Sequence, residues 1–309
     1  MPETTALSLE QVLSHPTVKA AVEDTSFELK RRRAFVPPVC EVFAQPYTVL
    51  EATDRYRFNI DPEARRRLPR IIANQVQVIQ GRAALAASAA ADYTRRRNIG
   101  IVFSGGPAPG GHNVIAGLFD AAKRANPENR VYGFLVGPDG VVENEAIEIT
   151  RERVDRYRNL GGFTMIKTGR AKIDSRQKVE LSRATCKALG LDALVIVGGD
   201  DSNTNAAFLA EELVGDGVQV IGVPKTIDGD IQVRDEQGHV LCAVSFGFHT
   251  AARAFANAIS GLANDASSDI KYYHVCKVMG RVASHLALEV ALQAHPNITI
   301  IGEDLVDFV

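Results

Sequence analysis

The residues most able to do chemistry fall in three short runs. The first is Ser104-Gly105-Gly106-Pro107-Ala108-Pro109-Gly110-Gly111, directly after the apolar run Ile99-Gly100-Ile101-Val102-Phe103. Glycines let a backbone come close to an anion, and a following helix offers N–H groups and the positive end of its dipole. A tight strand-to-helix turn would use the same residues. No Lys-Ser/Thr follows the glycines and the GxGxxG spacing is missing, so neither a Walker A loop nor a dinucleotide fingerprint is present.

The second run is Gly198-Gly199-Asp200-Asp201-Ser202-Asn203-Thr204. Adjacent carboxylates at the tip of a buried strand repel one another. A helix N-cap needs only one such residue, and Ser202 or Asn203 could serve. The excess acid points to a hard cation, and Mg²⁺ favours one or two carboxylates plus substrate phosphates. The third run, Pro224-Lys225-Thr226-Ile227-Asp228-Gly229-Asp230, holds a cation and two carboxylates within six residues. It could supply a phosphate contact, a proton acceptor and a metal or water ligand, or it could be a plain Asp-Gly turn. Together the runs describe phosphoryl transfer, which needs positioning, a metal across phosphate oxygens and a base for the attacking hydroxyl.

The elements around these runs must bring them together. Short buried strands are expected at 99–103, about 131–136, 193–197 and 219–223, with helices at about 113–123 and 203–214. This order predicts a parallel sheet covered by helices on both faces, with ligands outside the carboxyl ends of its strands. Further on, helices are expected at roughly 248–263 and 283–294, and strands at 272–278 and 298–301. Three regions result: a mostly helical extension over 1–97, a phosphate-binding α/β domain over 98–240, and the start of a second α/β lobe over 241–309.

Composition bounds the remaining options. The 309 residues are 46% hydrophobic and 23% charged with a formal net charge of −2, which gives no electrostatic case for nucleic acid or an anionic membrane. The basic runs Lys30–Arg33, Arg65–Arg67 and Arg95–Arg97 read first as solvated faces. Four scattered cysteines fit a reducing cytosol, and the apolar run Ala83–Ala91 is too short to span a bilayer. A soluble cytoplasmic protein is expected. His112, His249 and His274 read as packing or hydrogen-bonding residues rather than metal ligands.

The three runs, with Met279-Gly280-Arg281 and His295-Pro296-Asn297-Ile298-Thr299-Ile300-Ile301-Gly302-Glu303, resemble the long, pyrophosphate-dependent subfamily of the phosphofructokinases. The resemblance runs in order from about Asn98 to Glu303 and implies a Rossmann-like phosphofructokinase fold. It also implies roles. Gly106 would contact pyrophosphate and Arg170 would face phosphate. Asp200 would bind Mg²⁺ with Asp230 helping, Lys225 would stabilise charge on pyrophosphate, and Asp228 would accept the proton of the sugar 1-hydroxyl. Thr226 and Ile227 would lie along the substrate, and Met279, Gly280 and Arg281 would hold fructose 6-phosphate. Lys271-Tyr272 resembles a pair that reaches substrate across a subunit interface, so a dimer or higher homo-oligomer, or a catalytic and regulatory subunit assembly, is implied.

Donor choice follows the same resemblance. ATP-using relatives carry glycine at the Asp201 position and asparagine at the Gly229 position, and a carboxylate at Asp201 would repel the α-phosphate of ATP. Pro107 departs from the residues usual at its place. The family's full chains continue past Val309 with further sugar-phosphate ligands. A fragment, or a subunit completed by a partner, is therefore expected, binding pyrophosphate–Mg²⁺ better than fructose 6-phosphate. A non-catalytic regulatory subunit is the alternative.

Overall fold

Buried apolar runs rich in valine and isoleucine set the central strands, and more exposed segments set the rest. In chain order they are β1 (Tyr47–Ala52), β2 (Gln77–Arg82), β3 (Asn98–Phe103), β4 (Arg130–Phe134), β5 (Ala146–Glu148), β6 (Ala193–Gly198), β7 (Gln219–Pro224), β8 (Val233–Arg234) and β9 (Val240–Cys242). The computed structural model describes residues 14–16, 27–269, 271–280 and 283–308. Its central sheet has the order β5-β4-β3-β6-β7. β4, β3, β6 and β7 run parallel, so β3, β6 and β7 all deliver their following loops to one edge. β5 pairs antiparallel with β4, a short edge strand that the sequence pattern did not announce.

Successive strand residues point to opposite faces, and at the central strands β3 and β6 both faces are buried. Ile101, Phe103, Val195 and Val197 meet Ile115, Ala116 and Phe119 of the Gly111–Ala125 helix on one side. Val102, Leu194 and Ile196 meet Cys186 of the Arg176–Ala188 helix and Leu209 and Leu213 of the Asp200–Leu213 helix on the other. This is the doubly covered α/β sheet expected from the sequence. A third, smaller core joins Phe248, Ala252 and Ala256 of the Phe248–Asp269 helix to Leu286 and Val290 of the His285–Ala294 helix. No helix among the described residues is long and apolar enough to cross a membrane.

Two expectations need correcting. Residues 272–278 and 298–301 form no strands; both stretches are irregular, with Tyr273 99% and Val275 96% exposed. A strand exists through the neighbour that takes its hydrogen bonds, and among the described residues no strand lies beside either stretch. In the described part of 1–97, the helices Phe27–Ala34, Glu41–Ala44, Pro62–Arg67, Pro69–Ile72 and Ala87–Tyr93 are short, and the antiparallel pair β1–β2 lies among them. Pro46 and Pro69 follow the ends of the Glu41–Ala44 and Pro62–Arg67 helices and keep them brief, while Val49, Leu50, Val78 and Ile79 supply strand-forming side chains.

Packing density gives a direct test. A Cβ at Gly133 of β4 would sit 2.5 Å from Ile166 Cγ2 and 2.9 Å from Ile149 Cδ1. Nothing lies within 4 Å of a Cβ at Gly117, inside the Gly111–Ala125 helix. Gly133→Ala should lower unfolding free energy in urea by about 1–3 kcal/mol through overpacking. Gly117→Ala should raise it by up to about 1 kcal/mol through helix propensity.

Candidate functional site

Lys225 follows the last residue of β7, and its backbone N–H donates to Gly198 O at 2.8 Å, continuing the register with β6. That placement turns the side chain across the sheet edge. Its ammonium donates to the carbonyl of Gly106, in the loop after β3. Lys225 is 6% exposed, and Nζ lies 5.9 Å from the centre of the Phe163 ring. Its pKa is held below the usual lysine range, first by burial and then by the charge of Arg170, against the opposing pull of Asp228.

Arg170 reaches the same loop. A Cβ at Gly106 would be 3.6 Å from Arg170 Nη2, and one at Gly105 would be 3.7 Å from Lys225 Nζ. Gly105 has φ +86°, a left-handed conformation that favours glycine. The strap carrying Arg170 is tied to the loop by its backbone. Gly105 N donates to Gly169 O at 2.8 Å, and Thr168 Oγ1 donates to Gly105 O at 2.7 Å. The second loop joins through Ser202 Oγ, which donates to Ser104 Oγ at 2.8 Å. Next to Ser202, the Asp201 carboxylate pairs with Lys172 Nζ at 3.2 Å. Lys172 was not singled out in the sequence, where only its place two residues after Arg170 marks it.

The Lys225–Asp230 loop locks itself. Thr226 Oγ1 donates to Asp230 Oδ1 at 2.9 Å and accepts the Asp228 N–H at 3.1 Å. Thr226 N donates to Ser245 Oγ at 2.6 Å, and Ser245 Oγ donates to Thr226 O at 2.8 Å. Thr226 thus holds Asp228 and Asp230 in place with its hydroxyl, and Ile227 packs against the core under the sheet. Asp228 Oδ1 is buried. Gly229, at φ +71°, lies under His285, whose Nδ1 is 2.9 Å from Gly229 O. Ser245 and His285 are supports that only the folded chain reveals.

The helix after the first loop behaves differently from the sequence reading. The N–H groups of Gly110 and His112 donate to Gly161 O and Gly162 O, and those of Asn113 and Val114 to Gly110 O. These amides at the start of the Gly111–Ala125 helix are therefore engaged by the protein's own carbonyls. The cationic character of the site comes from Lys225 and Arg170 instead. Asp200 and Asp201 open the Asp200–Leu213 helix, where carboxylates suit the dipole. Among the described residues, no group of three or more His, Cys, Asp or Glu could hold a metal alone.

The sequence-predicted residues thus separate into two sets. Gly106, Arg170, Lys225, Thr226, Ile227, Asp228 and Asp230 converge after β3 and β7, with Asp200 and Asp201 beside them after β6. Met279 and Gly280 instead line a groove of about 580 Å³ with Ser284 and Glu303, and neither Gly106 nor Lys225 borders it. Lys271 and Tyr272 lie exposed in the irregular segment leading there, and Arg281 lies outside the described residues.

Comparison with known proteins gives this edge a context. The profile of the phosphofructokinase family matches residues 98–308. The chain belongs to the phosphofructokinase family. It is 51% identical over 210 residues to the pyrophosphate--fructose 6-phosphate 1-phosphotransferase of Porphyromonas gingivalis, covering 67% of this chain and 37% of that one. The Entamoeba histolytica enzyme of the same name is 48% identical over 219 residues, covering 70% and 39%. Subunit beta 1 of Arabidopsis thaliana is 48% identical over 209 residues, covering 67% and 36%. The chain therefore spans well under half the length of these relatives. The crystal structure of a pyrophosphate-dependent phosphofructokinase from Marinobacter aquaeolei shares the fold, with a TM-score of 0.54 at 22% identity over 64% of this chain and 49% of that one.

His112 forms the back wall of the first loop in this phosphofructokinase-family site. It is 2% exposed, and the amides of Gly162 and Met165 each approach a ring nitrogen at 3.1 Å. Protonation would set N–H groups against both amides, and burial pushes the pKa down to about 4. Between pH 6.5 and about 4 the unfolded chain takes up a proton that the native state refuses, so stability falls as pH drops through that window. The melting temperature should decline across it, and more gently in His112→Gln. Equal slopes would remove His112 from the acid response.

Proposed function

We propose that this chain carries the donor site of a pyrophosphate-dependent phosphofructokinase. The reaction is the reversible, Mg²⁺-dependent transfer of a phosphoryl group from pyrophosphate to the 1-hydroxyl of fructose 6-phosphate, giving fructose 1,6-bisphosphate and phosphate in the cytoplasm. One observation carries the reading: a buried ammonium, Lys225, meets the Gly106 carbonyl beside the Arg170 guanidinium at the carboxyl edge of a parallel sheet. Two cations confined beside a tight glycine turn suit a compact polyanion. The names of the relatives support the same donor.

Within this reading Gly106 lets the donor approach, and Lys225 and Arg170 meet the charge that builds on the leaving phosphate. Asp228, fixed through Thr226, takes the proton of the sugar hydroxyl as its oxygen attacks phosphorus. Asp201 limits the donor to a diphosphate by repelling a longer nucleotide. Met279, Gly280 and Arg281 would hold the sugar phosphate. The donor set fits Mg²⁺, because Asp200 and Asp230 offer hard oxygens too few to close a cage, leaving places for phosphate oxygens and water. When bound, the ion would neutralise charge on the phosphates.

A second reading is a subunit that needs a partner chain for turnover, with Lys271 and Tyr272 reaching a neighbour's substrate in an oligomer. The exposed apolar residues Tyr273, Val275, Ile298 and Ile300 favour it. Production of fructose 1,6-bisphosphate, followed by a coupled assay with Mg²⁺ and either pyrophosphate or ATP, separates these readings. Any turnover is expected to be with pyrophosphate and to be slow in the lone chain, and turnover with ATP would overturn the donor assignment. Silence with both, alongside measurable pyrophosphate binding, would favour the partner-dependent form. In the active protein Asp228→Asn should lower kcat by about 10²–10⁴-fold, the range for loss of a general base, with pyrophosphate affinity held.

A further inference from the structure

The strap from Thr168 to Ile173 is fastened at both ends. At its start, Gly169 pairs with Ser104 as an extension of the sheet, and Thr168 holds the Gly105 carbonyl. At its far end the backbone of Ile173 is clasped by one side chain, Asn205 of the Asp200–Leu213 helix. Ile173 N donates to Asn205 Oδ1 at 3.2 Å, and Asn205 Nδ2 donates to Ile173 O at 2.7 Å. Ile173 is 4% exposed and its side chain is packed in the core beneath that helix. Between these fastenings stand Arg170, against Gly106, and Lys172, against Asp201.

The contacts close into a ring. Ser104 bridges Gly169, the strap runs through Arg170 to Lys172, Lys172 pairs with Asp201, and Ser202 returns to Ser104. The Lys172–Asp201 pair cannot hold this ring by itself, because the side chains are 55% and 68% exposed and such pairs contribute about 0–1 kcal/mol. The clasp on Ile173 has two bonds, good distances and a part-buried setting. An amide side chain suits the task, since its oxygen accepts from the N–H while its NH₂ group donates to the C=O of the same residue.

We propose that Asn205 is a positioning residue for the phosphoryl donor: by clasping Ile173 it fixes the strap so that the Arg170 guanidinium stays at Gly106 and Lys172 stays at Asp201. The proposal rests on the donor site assigned above but not on which phosphate donor occupies it. Loss of the clasp leaves the chain folded, lets the strap move, and weakens anion binding through Arg170. It leaves Lys225 and Asp228, which lie in the loop after β7, where they are.

The test uses the 309-residue chain and isothermal titration with magnesium pyrophosphate and, separately, magnesium ATP. Asn205→Ala should weaken the bound anion by roughly five- to tenfold, the scale of losing one or two hydrogen bonds in an ordered site. Amide exchange over 168–173 should quicken, with β6 and β7 unchanged. Asn205→Asp keeps an acceptor but not the donor and should fall on the weak side as well, which covers the case where the alanine variant folds poorly. The deciding measurement is the cycle with Arg170→Gln. If Asn205 acts through Arg170, Asn205→Ala adds little to the loss already caused by Arg170→Gln. Full additivity, or unchanged anion affinity in Asn205→Ala, would overturn the proposal. Binding of ATP but not pyrophosphate by the unaltered chain would overturn the donor assignment while leaving the clasp to be judged on ATP. Binding of neither would overturn both.

Discussion

A buried ammonium is the constraint on which this structure turns. Taking a lysine out of water costs several kcal/mol unless its charge and its hydrogens are met. Lys225 is met by the Gly106 carbonyl, by the face of Phe163 and by the field of Asp228, while Arg170 works against it. The Gly106 carbonyl comes from the loop after β3, Phe163 and Arg170 from the segment before the Arg176–Ala188 helix, and Asp228 from the loop of Lys225 itself. The site is consequently a balance between a cation pair that repels itself and a fold that keeps the pair together, and an incoming anion relieves that repulsion.

The sheet supplies the rigidity for such an arrangement. β3, β6 and β7 lie side by side in parallel register, with β3 and β6 buried on both faces, so their carboxyl ends are held together. The loops are then tied crosswise by small polar groups: Ser202 to Ser104, Ser245 to Thr226, Thr168 to Gly105. Close approach matters more than side-chain size here. A Cβ at Gly198 would fall 2.3 Å from Ser202 Cβ, so the turn that brings the second loop over the first has room only for glycine.

Much of this was legible in the residues. Strands rich in valine and isoleucine, running into a loop of glycine and proline or into loops of glycine and acid, marked the sheet edge and the three loops. Lys225 could be found because it sits directly after β7. Lys172, Asn205 and Ser245 could not, because nothing in their own neighbourhood distinguishes them from solvated polar residues; their roles come from partners 19 to 32 positions away. Reading the Gly111–Ala125 helix as an anion cradle missed the carbonyls of Gly161 and Gly162, which no periodicity reveals. The segments around 275 and 299 have strand-like composition, but composition cannot supply a hydrogen-bonding neighbour.

The strand order has a kinetic meaning. β6 occupies the place beside β3, yet 94 residues separate Ile99 from its partner Ala193, and the Ser202–Ser104 bond spans 98. Loop closure of that length must precede any reward from pairing, which slows folding. A nascent chain could assemble β3, the Gly111–Ala125 helix and β4 early, but the edge that gathers Gly106, Arg170 and Lys225 comes into being only when β6 and β7 dock. Binding competence therefore emerges late and all at once, and a partly folded chain would present no weakened version of the site.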